Sequence, residues 1–82
     1  MANRNRFLCL DCRTDTGRIN EYYVVDTELW LSVVGSLQGM LCIACLERRL
    51  GRELNASDFT DAYINHLDWG RKSDKLLLRL TS

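Results

Sequence analysis

The sequence predicts a small α+β domain with a short β-hairpin and two to four short helices, on three observations. Four cysteines fall into two C-x-x-C pairs, Cys9-Leu10-Asp11-Cys12 and Cys42-Ile43-Ala44-Cys45. Between the pairs, Arg18 to Val25 has the β-branched and aromatic content of a strand. Directly after the second pair, apolar residues recur at helical spacing. With 82 residues and no Pro, the chain reads as one domain over 1–82, with a core over 7–70, a polar arm over 1–6 and a short C-terminal helix or tail over 71–82. One apolar core of this size rarely supplies more than about 3 to 5 kcal/mol, so a disulfide, a metal or a partner is expected to add to it.

The elements follow in chain order. Phe7-Leu8 leads into the first cysteine turn, and Arg13 to Gly17 is rich in turn formers. A strand is expected at about 19 to 25. Asp26 or Thr27 then caps a short helix in which Leu29, Trp30, Val33 and Val34 share a face before Gly35, although Leu29 to Val34 also fits a strand. Cys42 to Leu50 reads as a helix with Ile43, Leu46 and Leu50 on one face, stopped by Gly51. Ser57 is expected to cap a helix from Asp58 to about Asp68 bearing Phe59, Ala62, Tyr63 and Leu67, and Ser73 a last short helix through Leu76, Leu77 and Leu80.

The cysteine spacing points to zinc. Two residues between cysteines let both sulfurs of a tight turn converge on one ion, and two such turns complete a tetrahedral four-sulfur shell, so Cys9, Cys12, Cys42 and Cys45 are the expected ligands. The 29 residues from Arg13 to Leu41 leave room for a subdomain between the half-sites. A zinc turn, a hairpin-like region and a second ligand pair opening a helix is the element order of a treble clef, whereas a zinc ribbon would place both pairs on hairpin turns. The helix dipole would support the thiolates of Cys42 and Cys45. A redox dithiol and an iron–sulfur site are the rival uses of these thiols. Four thiolates leave no open position on zinc, so the site reads as scaffolding and the chain as no enzyme.

From Gly39-Met40-Leu41-Cys42-Ile43-Ala44-Cys45-Leu46-Glu47-Arg48-Arg49-Leu50-Gly51-Arg52 through Ser57-Asp58-Phe59-Thr60-Asp61-Ala62 and Asn65, the sequence resembles a group of short, largely uncharacterised bacterial and bacteriophage proteins. In that group a C-x-x-C turn is followed by a Tyr-Tyr strand, an acidic residue and a Trp, matched by Cys9, Cys12, Tyr22, Tyr23, Asp26 and Trp30. The resemblance spans roughly residues 7 to 66 and is most specific from Cys42 to Arg52. It implies a small cytoplasmic zinc-binding protein, with phage encoding as one origin, and brings no activity with it. The apolar Leu76-Leu77-Leu78 departs from the pattern.

Charge and the remaining side chains bound the function classes. The 11 basic and 11 acidic residues cancel, and a pI of ≈ 6.5 argues against a polybasic nucleic-acid binder. The distribution is uneven, with net charges of +2 over residues 1–18, −3 over 19–46, +1 over 47–53, −3 over 54–70 and +3 over 71–82. If Arg4, Arg6, Arg48, Arg49 and Arg52 share a face they form a phosphate-binding patch; the plainer expectation is a solvated helix with Arg49 near Glu53 at i+4. His66 is the sole histidine, which leaves an HNH-type nuclease without its base and ligands. Glu21, Asp26 and Glu28 fit solvation and capping better than a hard-cation site. The seven aromatics either close the core around the metal or form an interaction patch.

The start of the chain offers no secretion signal, and its longest apolar run, Met40 to Leu46, is far below the ~18 residues that span a bilayer. The cytoplasm is the expected location, where reducing chemistry disfavours a disulfide. The leading expectation is a protein-interaction module with its surface near Trp30, Tyr22, Arg48, Arg49 and Arg52; nucleic-acid binding through the basic arm and the Arg-bearing helix is the alternative.

Overall fold

The computed structural model describes residues 7–82, so the expected arm over 1–6, with Arg4 and Arg6, lies outside the described residues. Three α-helices appear in order, α1 (Thr27–Val34), α2 (Ile43–Leu50) and α3 (Asp74–Leu80), with two 3-10 turns, Ala56–Asp58 and Tyr63–Asn65, between the last two.

Each α-helix begins and ends where its local chemistry directs. The Asp26 carboxylate accepts the Leu29 N–H at 3.3 Å to open α1, and Gly35, at φ 85°, closes it. Cys42 is the extended N-cap of α2, and Gly51 at φ 76° ends it. Ser73 Oγ accepts the Leu76 N–H at 3.0 Å and caps α3. The strand alternative for Leu29 to Val34 is thereby resolved as helix.

The expected β-hairpin does not form. Among the described residues there are only isolated bridges, Leu8 to Asp15, Cys9 to Met40 and Val25 to Phe59. Residues 17–20 are taken up by a turn: Asp15 Oδ1 accepts the N–H groups of Gly17 (3.0 Å) and Arg18 (3.3 Å), and Asn20 sits at φ 61°. From Glu21 onward the chain is extended, and burial alternates as in a strand, with Tyr23 and Val25 inward and Val24 outward. Its neighbour is a loop: the Thr60 N–H donates to Val24 O, the Asp26 N–H to Asp58 O, and the Asn65 side chain bonds both the N–H and the C=O of Val24.

The same contacts explain why the helix expected over Asp58 to Asp68 is absent. The cap is Asn55, not Ser57, and Asn55 and Asp58 close a reciprocal box that holds a single 3-10 turn. Phe59 is extended at φ −93° and ψ 146°, because residues 58–60 are drawn alongside Val24 to Asp26. The supposed apolar face is broken up accordingly. Tyr63 and Leu67 are exposed, while Phe59 packs edge-on against Tyr23 at 5.9 Å between ring centroids.

The core combines Leu41, Ile43 and Leu46 with Tyr23, Val25, Trp30, Leu54 and Leu76. Leu76 is fully buried, so the core does not stop at residue 70, and α3 belongs to it. Hydrophobic burial of this kind drives small domains, about 1.5–3 kcal/mol for each large side chain removed from water. No helix among the described residues is long and apolar enough to cross a membrane.

Candidate metal centre

Two turns position four sulfurs. In the first, the Arg13 N–H donates to Cys9 O at 2.9 Å and the Cys9 N–H to Thr14 O at 2.7 Å; Arg13 takes the left-handed conformation at φ 66° that reverses the chain. This turn is stitched to the second by the Leu10 N–H, which donates to Met40 O at 2.8 Å. The second turn runs straight into α2, and its entry is fixed by a buried carboxylate: Glu21 Oε1 accepts the Ile43 N–H at 2.9 Å. Glu21 Oε2 accepts a bond from Ser73 Oγ at 3.0 Å, so one side chain ties the start of α2 to the start of α3.

The sulfurs of Cys9, Cys12, Cys42 and Cys45 all lie within 4.8 Å of one another. Cys12 Sγ and Cys42 Sγ, one from each turn, are 3.8 Å apart. A tetrahedral thiolate shell with metal–sulfur bonds of about 2.3 Å has edges of about 3.8 Å, the separation of the Cys12–Cys42 pair. A disulfide needs about 2.05 Å, and all four cysteines are free.

Burial and local hydrogen bonds shift the thiols of the cluster in opposite directions. Cys9, Cys42 and Cys45 are buried and Cys12 is exposed. The Thr14 hydroxyl, 3.2 Å from Cys12 Sγ, together with the Thr14 N–H, pulls the Cys12 thiol down to about 6. Burial pushes the thiols of Cys42 and Cys45 above their ordinary value. Three sulfurs shielded from water and packed against a fourth can all ionise only with a compensating positive charge among them. Arg49 feels the charge of Cys9 and Cys45, but its guanidinium is committed to Asp11. Among the described residues these four cysteines are the one cluster of metal-ligating side chains.

Of the three described arginines expected on a basic face, two are paired within the chain. Arg49 grips Asp11 with two nitrogens, at 3.0 and 2.6 Å, and donates to Val33 O at 2.7 Å. It does not pair with Glu53. Because Asp11 lies between Cys9 and Cys12, this contact clamps the first turn onto α2. Arg52 binds both oxygens of Asp58, at 2.8 and 2.9 Å, while Arg48 is exposed and without an ion pair among the described residues.

The other candidates lie apart from the cluster. The His66 side chain is half exposed with its Nε2 3.5 Å from Asp61 Oδ1. Glu21 and Asp26 hold backbone N–H groups and Glu28 lies exposed in the first turn of α1, so the three form no cation site. Trp30 is 9% exposed and a core residue, while the half-buried Tyr22 meets Phe7 edge-on at 5.8 Å. Both line an open groove of ≈ 220 Å³ with Val24, Leu37 and Met40, and Leu37 is 70% exposed at its rim.

Sequence reading missed Glu21, Asp11 and Asn65 as determinants of the site's surroundings. Only Asp11 carried a signal, an acidic residue inside the first C-x-x-C facing a helix with three nearby arginines. No protein-family model matches the chain, and neither a curated protein nor a solved structure does.

Proposed function

We propose that the four cysteines hold one structural zinc ion and that the domain it fastens is a non-enzymatic protein-interaction module of the bacterial or phage cytoplasm. The observation that carries the zinc reading is the set of four sulfurs, from two C-x-x-C turns, that all lie within 4.8 Å of one another. Soft thiolates select zinc or iron–sulfur chemistry over magnesium and calcium, which prefer oxygen. A single four-sulfur shell opening a helix N-terminus is the zinc arrangement of a treble-clef-like finger, here without its hairpin. A closed shell has no position for water or substrate.

The interaction surface in this reading is the groove between residues 22–25 and 37–40, where Leu37 and Val24 expose apolar side chains beside Trp30 and Met40. Exposed apolar surface around aromatic side chains is the usual ground for protein contacts. Nucleic-acid binding is the weaker alternative, because Arg49 and Arg52 each spend their guanidinium on a carboxylate of the chain itself.

Elemental analysis of purified protein tests the metal: one equivalent of zinc, with unfolding on chelation, is expected, and a chain that stays folded and metal-free in EDTA overturns it. Affinity purification with wild type and Leu37→Asp tests the surface. A protein retained by wild type and lost with Leu37→Asp supports it; recovery of nucleic acid alone, released by salt, favours the alternative.

A further inference from the structure

We propose that Cys12 is a modification site for small two-electron oxidants such as hydrogen peroxide, with Cys42 as the sulfur that completes a disulfide and ejects the metal. The inference rests on the zinc reading of the four-sulfur cluster and adds a chemical reactivity to it.

Accessibility and distance carry the argument. Cys9, Cys42 and Cys45 are buried, whereas Cys12 is exposed on a turn whose Leu10 and Asp11 are exposed as well. A small polar oxidant therefore meets one sulfur of the four. Across the two turns Cys42 Sγ lies 3.8 Å from Cys12 Sγ, and closing to a disulfide of about 2.05 Å takes a movement of less than about 2 Å. That movement falls to the Cys12 side. Cys42 is anchored as the N-cap of α2, its carbonyl accepting the Leu46 N–H at 3.0 Å and the following N–H held by Glu21. Cys9, on the same turn as Cys12, is the less suited partner because its sulfur already accepts the Cys12 N–H at 3.5 Å.

In the first step the Cys12 sulfur attacks one oxygen of the peroxide. The O–O bond breaks, and the departing hydroxide takes up a proton to become water. Cys12 is then a sulfenic acid, oxidised by two electrons, and the peroxide is reduced. In the second step the Cys42 sulfur attacks the Cys12 sulfur, an S–S bond forms, the S–O bond breaks, and the second hydroxide leaves as water after protonation. Two thiolates, two protons and one peroxide give one disulfide and two waters. Cys9 and Cys45 alone cannot complete a tetrahedral shell, and the ion departs.

The test treats the zinc-loaded full chain with hydrogen peroxide while a chromophoric chelator follows zinc and mass spectrometry maps the cysteines. One zinc released per disulfide, with the disulfide joining the Cys12 and Cys42 peptides, is expected. Cys12→His retains a three-cysteine, one-histidine shell and slows zinc release by about tenfold or more. Substoichiometric iodoacetamide on wild type gives the same information without a variant, with Cys12 labelled first. A Cys9–Cys12 disulfide, labelling spread evenly over the four cysteines, or zinc retained after Cys12 oxidation overturns this inference alone. A preparation that takes up no zinc overturns the zinc reading beneath it.

Discussion

The two halves of the molecule are fastened by different chemistry. From Phe7 to Leu50 the fold converges on four sulfurs, and backbone bonds around two cysteine turns do most of the positioning. From Gly51 to Ser82 no cysteine occurs, and polar side chains take over: Arg52 on Asp58, Arg79 on Glu47 and Glu53, and the Asn65 carboxamide on Val24 and Thr60. The first half gathers a candidate metal site, and the second is held by charge and hydrogen bonding, with α2 as the shared wall. A chelator would act on the sulfur cluster alone, whereas acid protonates thiolates and carboxylates alike and so acts on both halves.

The largest expected effect is on the cysteine half. Replacing Cys45 with Ser removes a buried ligand, and apparent metal contributions in small zinc domains are about 10–16 kcal/mol, far above what a core of this size supplies. Circular dichroism should show loss of all three helices, α3 included, because Ser73 bonds Glu21 and Leu76 packs into the core that holds Cys9, Cys42 and Cys45. Survival of α3 and its thermal transition in Cys45→Ser would show that the second half stands by itself.

Next comes Asn65→Leu. It leaves the Val24 N–H and the Thr60 carbonyl without their partner, while Val24 O keeps the Thr60 N–H; each unsatisfied, part-buried group costs about 1–3 kcal/mol, so a loss of roughly 2–4 kcal/mol is expected in chemical denaturation. Zinc stoichiometry should stay at one, since the contact is remote from the sulfurs. Glu47→Gln is expected to cost somewhat less, about 1–3 kcal/mol, by weakening the mostly buried pair with Arg79 and the bond from the Leu54 N–H.

Acid gives a smaller and graded effect. At Glu47 burial opposes ionisation, but the Arg79 guanidinium and the Leu54 N–H outweigh it and hold the carboxyl below its ordinary 4.5. The Arg52 guanidinium holds Asp58 below 3.8, against the opposing effect of burial. Both depressions mean that the folded state binds fewer protons than the unfolded chain. Their stabilisation is complete above the ordinary values and drains away as pH falls through the folded ones. Asp58→Asn should flatten the fall of thermal stability with pH in that acid window relative to wild type. Identical slopes would remove Asp58 from the account.

Least of all is expected from Asp11→Asn. The Arg49 pair is at the surface, where salt screens it, and its loss should shift the melting temperature slightly at low salt and leave it unchanged at high salt. A large shift at both would mean that the clamp between the first cysteine turn and α2 matters more than its exposure suggests.

How much of this was legible in advance divides along the same line. The three α-helices were readable because each carries its own stop and start: Asp26 and Gly35, Cys42 and Gly51, and Ser73. The proximity of the four sulfurs could be expected from two identical spacings. What was not readable depends on residues far apart in the chain. The alternation of Tyr22 to Val25 reports which side chains face the core, but a strand also needs a neighbour, and the neighbour here is a carboxamide 41 positions away. Asp58 is the exception, read as a helix residue although its partners Asn55 and Arg52 are local in sequence. Glu47 and Arg79, 32 positions apart, carry no local mark of their pairing.

Glu21 bears on the order in which the molecule is made. Its two oxygens are satisfied from opposite ends of the sequence, by Ile43 and by Ser73, and the Ser73 N–H in turn reaches back to Asn20 O at 2.9 Å. The four cysteines all precede residue 46, but one Glu21 oxygen has no partner until the chain extends to Ser73, and the Leu76 position in the core waits with it. The sulfur cluster is thus complete in sequence while the core still lacks one side, and α3 is what closes it.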